Sequence, residues 1–243
     1  MPGKPFEGHV ALVTGAAKRI GRGIALRLAA DGADVIVNYM SSKQDAEGVV
    51  REIESLGRRG AAIHADVSRR ADVEKLFAAI DKKFGRLDIL VNNAGTFFDA
   101  RFEDLTDEQW DRIMNTNLKS QFLCAQAAAR VMKRQGRGRI VNISSLGGLL
   151  AWPKYTHYCV SKAGVIMLTR CLARALGPEI LVNSVAPGTI QFPGDVPDED
   201  YIQRVPLHRT GTGDDIAQAV AYLLASDFVT GQVLAVDGGR TLV

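Results

Sequence analysis

Residues 10–23 read Val-Ala-Leu-Val-Thr-Gly-Ala-Ala-Lys-Arg-Ile-Gly-Arg-Gly. Four apolar residues run into a turn of small residues and glycine, and a helical pattern follows. The pattern predicts a strand over Val10–Val13 and a helix from Ile20 to Ala30, with Gly32 where the helix stops. Small residues in such a turn let the backbone approach a pyrophosphate. The helix behind it offers free amides and the positive end of its dipole. A glycine-rich turn alone is a weak signal, and its place between the first strand and the first helix strengthens it.

Outward from this unit the alternation repeats. Strands are predicted at 35–39, 61–64, 89–91, 139–143, 181–185 and 233–236. Helices are predicted at 42–56, 71–84, 106–134, 155–176 and 214–225, several of them stopped by Gly57, Gly85, Gly136 or Gly177. Strands separated by helices of ten or more residues require crossover connections, hence a parallel sheet covered on both faces. The expected architecture is a single doubly wound α/β domain of about seven strands, whose ligands sit beyond the carboxyl ends of the strands. Residues 189–213, rich in Pro and acidic residues, lie between a strand end and a helix and are expected to border the site.

The end of the second strand bears on cofactor choice. A carboxylate there would bond a ribose 2′-hydroxyl and repel a 2′-phosphate. This chain has Asn38-Tyr39-Met40-Ser41-Ser42-Lys43, with no carboxylate before Asp45, and Lys18 and Arg19 stand in the adjacent turn. A neutral-to-basic pocket with serine hydroxyls suits a 2′-phosphate, so NADP(H) is expected over NAD(H).

Tyr158 and Lys162 stand four residues apart, on one face of a helix. A phenol titrates near ~10, too high for efficient proton transfer at neutral pH. An ammonium at ~4 Å attracts a phenolate by on the order of 4 kcal/mol before desolvation. The pair is therefore expected to lower the phenol pKa by about a unit or two. The pair alone is common. Here Ser145 follows the fifth strand, Asn117 lies in the long helix, Asn92-Asn93-Ala94-Gly95 follows the fourth strand and Pro187-Gly188 the sixth.

In the order and spacing of these features the chain resembles the short-chain dehydrogenase/reductase family over residues 6–242. The matching features are Thr14-Gly15, Asp66-Val67, Asn92 to Gly95, Asn117, Ser145, Tyr158, Lys162, Pro187-Gly188 and Val236-Asp237-Gly238-Gly239. The resemblance implies a Rossmann-type fold and an NADP(H)-dependent oxidoreductase. It makes Tyr158 the general acid in reduction and Lys162 the group that lowers its pKa and binds the nicotinamide ribose. Ser145 would polarise a substrate carbonyl, and Asn117 would hold a water in a proton relay. Cofactor contacts are implied at Gly15, Lys18, Arg19, Ile20, Gly21, Asn38, Tyr39, Ser41, Ser42, Asp66, Val67, Asn93, Ala94, Gly95, Tyr158, Lys162, Pro187, Gly188 and Ile190. The family also implies a homotetramer or homodimer built on the helices carrying Asn117 and Tyr158, with Phe122, Cys124 and Met132 on or under such a helix.

The chain departs from the family pattern in two places. Arg19 stands where the turn usually has glycine, and Phe192 where a threonine commonly follows the Ile190 position. Thr14 to Gly21 and Phe97 resemble the pteridine-reductase branch, in which a phenylalanine sandwiches a pterin ring. That branch, however, carries aspartate at the position of Ser145. A carbonyl needs only a hydrogen bond to oxygen, so Ser145 points to ketone reduction, 3-oxoacyl thioesters included. Pteridine reduction and a non-catalytic NADP(H) sensor are the alternatives. Asp195, Asp198, Glu199 and Asp200 read as a solvated acidic loop, and His157 as structural.

Composition excludes other classes. The 243 residues carry 30 basic and 27 acidic side chains, net +3, with no run of five like charges, which does not suggest nucleic acid. The uncharged stretch Ile140–Pro153 is too short and too polar to span a bilayer. Residues 1–5 show no apolar signal segment. Three cysteines without a CxxC pair argue for reduced thiols in a cytoplasmic protein. His9, His64 and His208 show no metal-ligand spacing.

Overall fold

The computed structural model describes residues 4–243, so residues 1–3 of the amino-terminal stretch read above lie outside it. Seven strands form one parallel sheet: β1 Val10–Val13, β2 Asp34–Tyr39, β3 Gly60–His64, β4 Ile89–Asn92, β5 Gly138–Ile143, β6 Ile180–Pro187 and β7 Val233–Val236. Their spatial order is β3-β2-β1-β4-β5-β6-β7. The helices are α1 Arg19–Ala30, α2 Lys43–Ser55, α3 Arg70–Phe84, α4 Asp107–Ile113, α5 Ser120–Gln135, α6 Thr156–Leu176, α7 Glu199–Arg204 and α8 Gly213–Ala225. This is the doubly wound domain expected from the alternation.

Alternate residues of β1 face opposite sides of the sheet. Ala11 and Val13 join a core with α1, α2 and α8 residues such as Ile24, Leu28, Val49 and Val220. Val10 and Leu12 join a second core with α3 and α5 residues such as Leu76, Ile80, Leu123 and Met132. Every residue of β1 and β4 is buried, as strands covered on both faces must be. The chain winds from β1 outward to β3 and then returns to β4 on the other side of β1. This reversal opens a crevice beyond the carboxyl ends of β1 and β4. The register brings those ends level, with Val13 beside both Val37 and Val91, and Asn92 beside Asn142.

Two regions differ from expectation. The helix expected over 106–134 is α4, a π-helical turn over Met114–Lys119, and α5. In the π turn the Ser120 amide donates to Asn115 O, five residues back, and the Ser120 hydroxyl bonds Thr116 O at 2.5 Å. Hydrophobic periodicity does not register such a one-residue slip. Residues 189–213 contain a short helix, α7, and are anchored at their base where Ile190 pairs with Gly211. Cys124 and Met132 of α5 are fully buried against the sheet, whereas Phe122 is exposed. Among the described residues no helix is long and apolar enough to cross a membrane.

Candidate active site

Beyond the strand ends lies an open cleft of about 1150 Å³. One end is formed by Tyr39 to Ser42 and Ala65 to Ser68; the middle by Gly15 to Gly21 and Asn93 to Gly95. The far end holds Ser145, Tyr158, Lys162 and Pro187 to Ile190. The cleft thus brings together every residue expected at a cofactor or substrate except Asn117, which lies directly behind it.

The turn from Thr14 to Gly21 is built by bonds to the end of β4 and the residues after it. Thr14 Oγ1 accepts from the amides of Asn93 and Ala94 at 2.9 and 3.0 Å. Asn93 Nδ2 donates back to the carbonyls of Thr14 and Gly15 at 2.8 and 3.1 Å. Gly15 has φ +61°, and a Cβ there would stand 3.0 Å from Ala94 Cα. At Gly21 a Cβ would lie 2.5 Å from both Asn93 Nδ2 and Gly15 O. The two glycines let the turn fold this tightly. Asn38 is committed to scaffold: its Oδ1 accepts from the Gly15 amide, and its Nδ2 donates to Ile63 and Ala65 carbonyls. It borders the cleft with its side chain already satisfied. Asp66 likewise accepts from the amide and hydroxyl of Ser68. Lys18, the residue before α1, makes no capping bond and α1 has no acid in its first turn, so its leading amides stay open to an anion.

The basic contribution beside Ser41 and Ser42 is smaller than expected. Lys18 pairs with Asp45 at 3.0 Å. Arg19 turns away, its guanidinium bonded to both oxygens of Asp195 at 3.0 and 2.9 Å. Asp195 is therefore a partly exposed bridge across the cleft mouth and not an unpaired charge. Asp198 caps α7 by accepting from the Tyr201 amide. Glu199 and Asp200 open that helix, and Asp200 pairs with Arg204. Only part of the expected acidic loop is free.

Tyr158 and Lys162 project together from α6, as their spacing predicts. Lys162 Nζ donates to the Ile143 carbonyl at 3.0 Å and lies 5.7 Å from the centre of the Tyr158 ring. Burial pulls the ammonium down to about 8. Burial also pushes the Tyr158 phenol up to about 12, against the lowering influence of the neighbouring Ser145 side chain. The expectation that Lys162 lowers the phenol pKa is thus corrected. The ammonium bonds the Ile143 carbonyl instead of the phenol, and burial is the largest influence on the phenol. The phenol is held protonated, as a proton donor must be. The Ser145 hydroxyl accepts from the Gly147 amide at 3.1 Å, which fixes its direction.

Asn117 is wholly buried. Its Oδ1 accepts from the Thr96 amide at 2.7 Å; its Nδ2 donates to Thr96 O at 3.0 Å and Ser161 Oγ at 3.2 Å. The side chain locks the β4 exit loop to α6. Four rings wall the substrate end. Phe97 stacks on Tyr155 at 4.7 Å and meets Tyr158 edge-on at 4.7 Å, while Trp152 lies parallel to Tyr158 at 6.1 Å. Sequence reasoning missed Trp152, Tyr155 and Tyr201, since isolated aromatics carry no periodic signal. Tyr201 reaches the cleft from α7 and donates to Asp237 O at 2.8 Å. His157 is structural, buried beside Phe98. Among the described residues no cluster of His, Cys, Asp or Glu could hold a metal.

Residues 15–241 match the family model described as Enoyl-(Acyl carrier protein) reductase. The chain belongs to the short-chain dehydrogenase/reductase family. Among family members, it is 44% identical to the 3-oxoacyl-[acyl-carrier-protein] reductase FabG of Staphylococcus aureus, over 94% of this chain and 96% of that protein. A short-chain dehydrogenase from Burkholderia cenocepacia, solved in complex with NADP, superposes with a TM-score of 0.92. It is 39% identical and the match covers 98% and 99% of the two chains. Acetoin dehydrogenase from Enterobacter cloacae superposes at 0.90, with 41% identity over 96% of each chain. This family member is therefore an oxidoreductase of the nicotinamide-dependent kind.

Proposed function

We propose that the protein is an NADPH-dependent reductase of ketone carbonyls, with 3-oxoacyl thioesters as the substrate class. The observation that carries this reading is that Ser145, Tyr158 and Lys162 converge on one end of the cleft, Tyr158 and Lys162 from one face of α6. The relatedness to a 3-oxoacyl-[acyl-carrier-protein] reductase supports the substrate class, and the NADP-bound relative supports the cofactor. Open amides at the start of α1 and the tight glycine turn fit a dinucleotide diphosphate, and Lys18, Ser41 and Ser42 fit a 2′-phosphate. Reduced nicotinamide supplies a hydride when bound.

The chain's own residues supply the rest. Ser145 donates to the carbonyl oxygen as negative charge builds there. Tyr158, kept neutral by burial, gives its proton to that oxygen. Lys162 places a positive charge beside the phenolate left behind. Ser145 offers no acidic proton to a ring nitrogen, and the Phe97 ring is already stacked on Tyr155, so both features favour a ketone over a pterin. Exposed Phe122, Val160 and Met167 on α5 and α6 suit the face through which two copies would pair.

The test is the initial rate of NADPH oxidation with a 3-oxoacyl thioester, a dihydropteridine and acetoin side by side. Turnover of the thioester is expected. Tyr158→Phe should lower it by about 10²–10⁴-fold with NADPH affinity within about twofold of the unaltered protein. NADPH binding without turnover of any ketone overturns the reading in favour of a sensor.

A further inference from the structure

The two departures from the family pattern meet in space. Arg19, in place of glycine, holds φ +51°, a left-handed conformation that a side chain rarely adopts. Its guanidinium lies over the ring of Phe192, the residue in place of threonine, 4.3 Å from the ring centre. The same guanidinium makes the two-bonded pair with Asp195. Asp195 in turn accepts from the Phe192 amide at 3.0 Å, which closes a tight turn beneath the stack. On its other side Phe192 packs against Gly213, where a Cβ would meet its ring at 3.3 Å. A backbone strained at a non-glycine residue persists only where its surroundings hold it. Here the stack and the two hydrogen bonds to Asp195 hold it.

The clasp joins positions 176 residues apart. One side is the phosphate turn; the other is the segment that carries Ile190, Phe192 and Tyr201 over the far end of the cleft. The segment is pinned at its base by the Ile190–Gly211 pairing and by Gln191, whose side chain accepts from Thr210 at 2.9 Å. Its outer part has Arg19 as its tie to the opposite rim. We propose that Asp195 is a positioning residue that, through Arg19 and Phe192, clasps residues 189–213 across the cleft, and that opening of this clasp governs cofactor exchange. The proposal rests on the reading of the cleft as an NADPH site.

Arg19 and Asp195 are partly exposed, so salt weakens their attraction while the stack on Phe192 persists. The measurement is stopped-flow fluorescence of NADPH release from the unaltered protein, Asp195→Asn, Arg19→Gly and the double variant, at low and high KCl. Arg19→Gly restores the residue suited to the positive φ, so folding is preserved. Each single variant should release NADPH about fivefold faster, and the double variant no faster than the singles. High KCl should speed release from the unaltered protein by a larger factor than from the variants, in which only the cofactor's own charges are screened. Unchanged or slower release from Asp195→Asn, or additive single effects, overturns the clasp while leaving the cofactor site intact. Failure of the unaltered protein to bind NADPH overturns the cofactor reading and the clasp with it.

Discussion

Helices α1 and α8 pack side by side, with Gly23 of one against Gly213 of the other, yet their amino termini are finished in opposite ways. At α8 the Thr212 hydroxyl accepts from the Asp215 amide at 3.3 Å, and Asp215 accepts from the Thr212 amide at 2.7 Å. Arg209 grips the same carboxylate with two bonds of 3.0 Å and holds it far below the usual carboxylate range. At α1 the capping position is Lys18, which bonds no backbone amide, and the first turn has no acid. Both helices begin with the same unsatisfied donors. One set is closed by the protein for its own stability. The other is left open in the cleft, where the proposed function assigns it the dinucleotide diphosphate.

The contrast can be broken from either side. The largest effect is expected from giving α1 the acid it lacks. Lys18→Asp should raise the Kd for NADPH about 100-fold, on the order of 3 kcal/mol, with the unfolding midpoint shifted by only a few degrees. Fluorescence titration and calorimetry check the two halves; equal loss of stability and affinity would refute the contrast. Asp215→Asn should instead cost about 1.5 kcal/mol of stability at neutral pH and leave cofactor affinity unchanged. Because the folded state depresses this carboxyl, its contribution is complete above the unfolded pKa near ~3.9 and fades as the pH falls below it. Denaturant titrations should therefore show the unaltered protein and Asp215→Asn converging in acid. Thr212→Ala should have the smallest effect, about 1 kcal/mol of stability with no change in NADPH binding.

The sheet was legible because each strand is a short apolar run and most helices end at a glycine. Gly85 and Gly136 cap α3 and α5 in left-handed conformations, as their positions suggest. The candidate catalytic residues were legible from Tyr158 and Lys162 at helical spacing and from Ser145 after a strand. Their ionisation was not legible, because burial is a property of the assembled site. Nor was the partner of Arg19. Asp195 lies far along the chain, and a lone arginine beside a glycine turn reads as a phosphate ligand until the fold brings its carboxylate near. The break in the long helix escaped for a different reason: residues 114–119 contain no Pro or Gly to mark it, and only the backbone bonds reveal the slip.

That slip constrains how the chain can change. One residue of helix corresponds to a rotation of about 100°. The π turn absorbs one such step, so Asn117 faces the cleft wall while Leu123, Cys124, Ala128 and Met132 still face the core. Removing any single codon between positions 114 and 119 would straighten the helix and keep its composition almost intact. It would also swing the upstream turn out of phase with the downstream one, stripping Thr96 and Ser161 of their shared partner. Apart from Asn117, this stretch should therefore accept many replacements of side chain and tolerate no change of length.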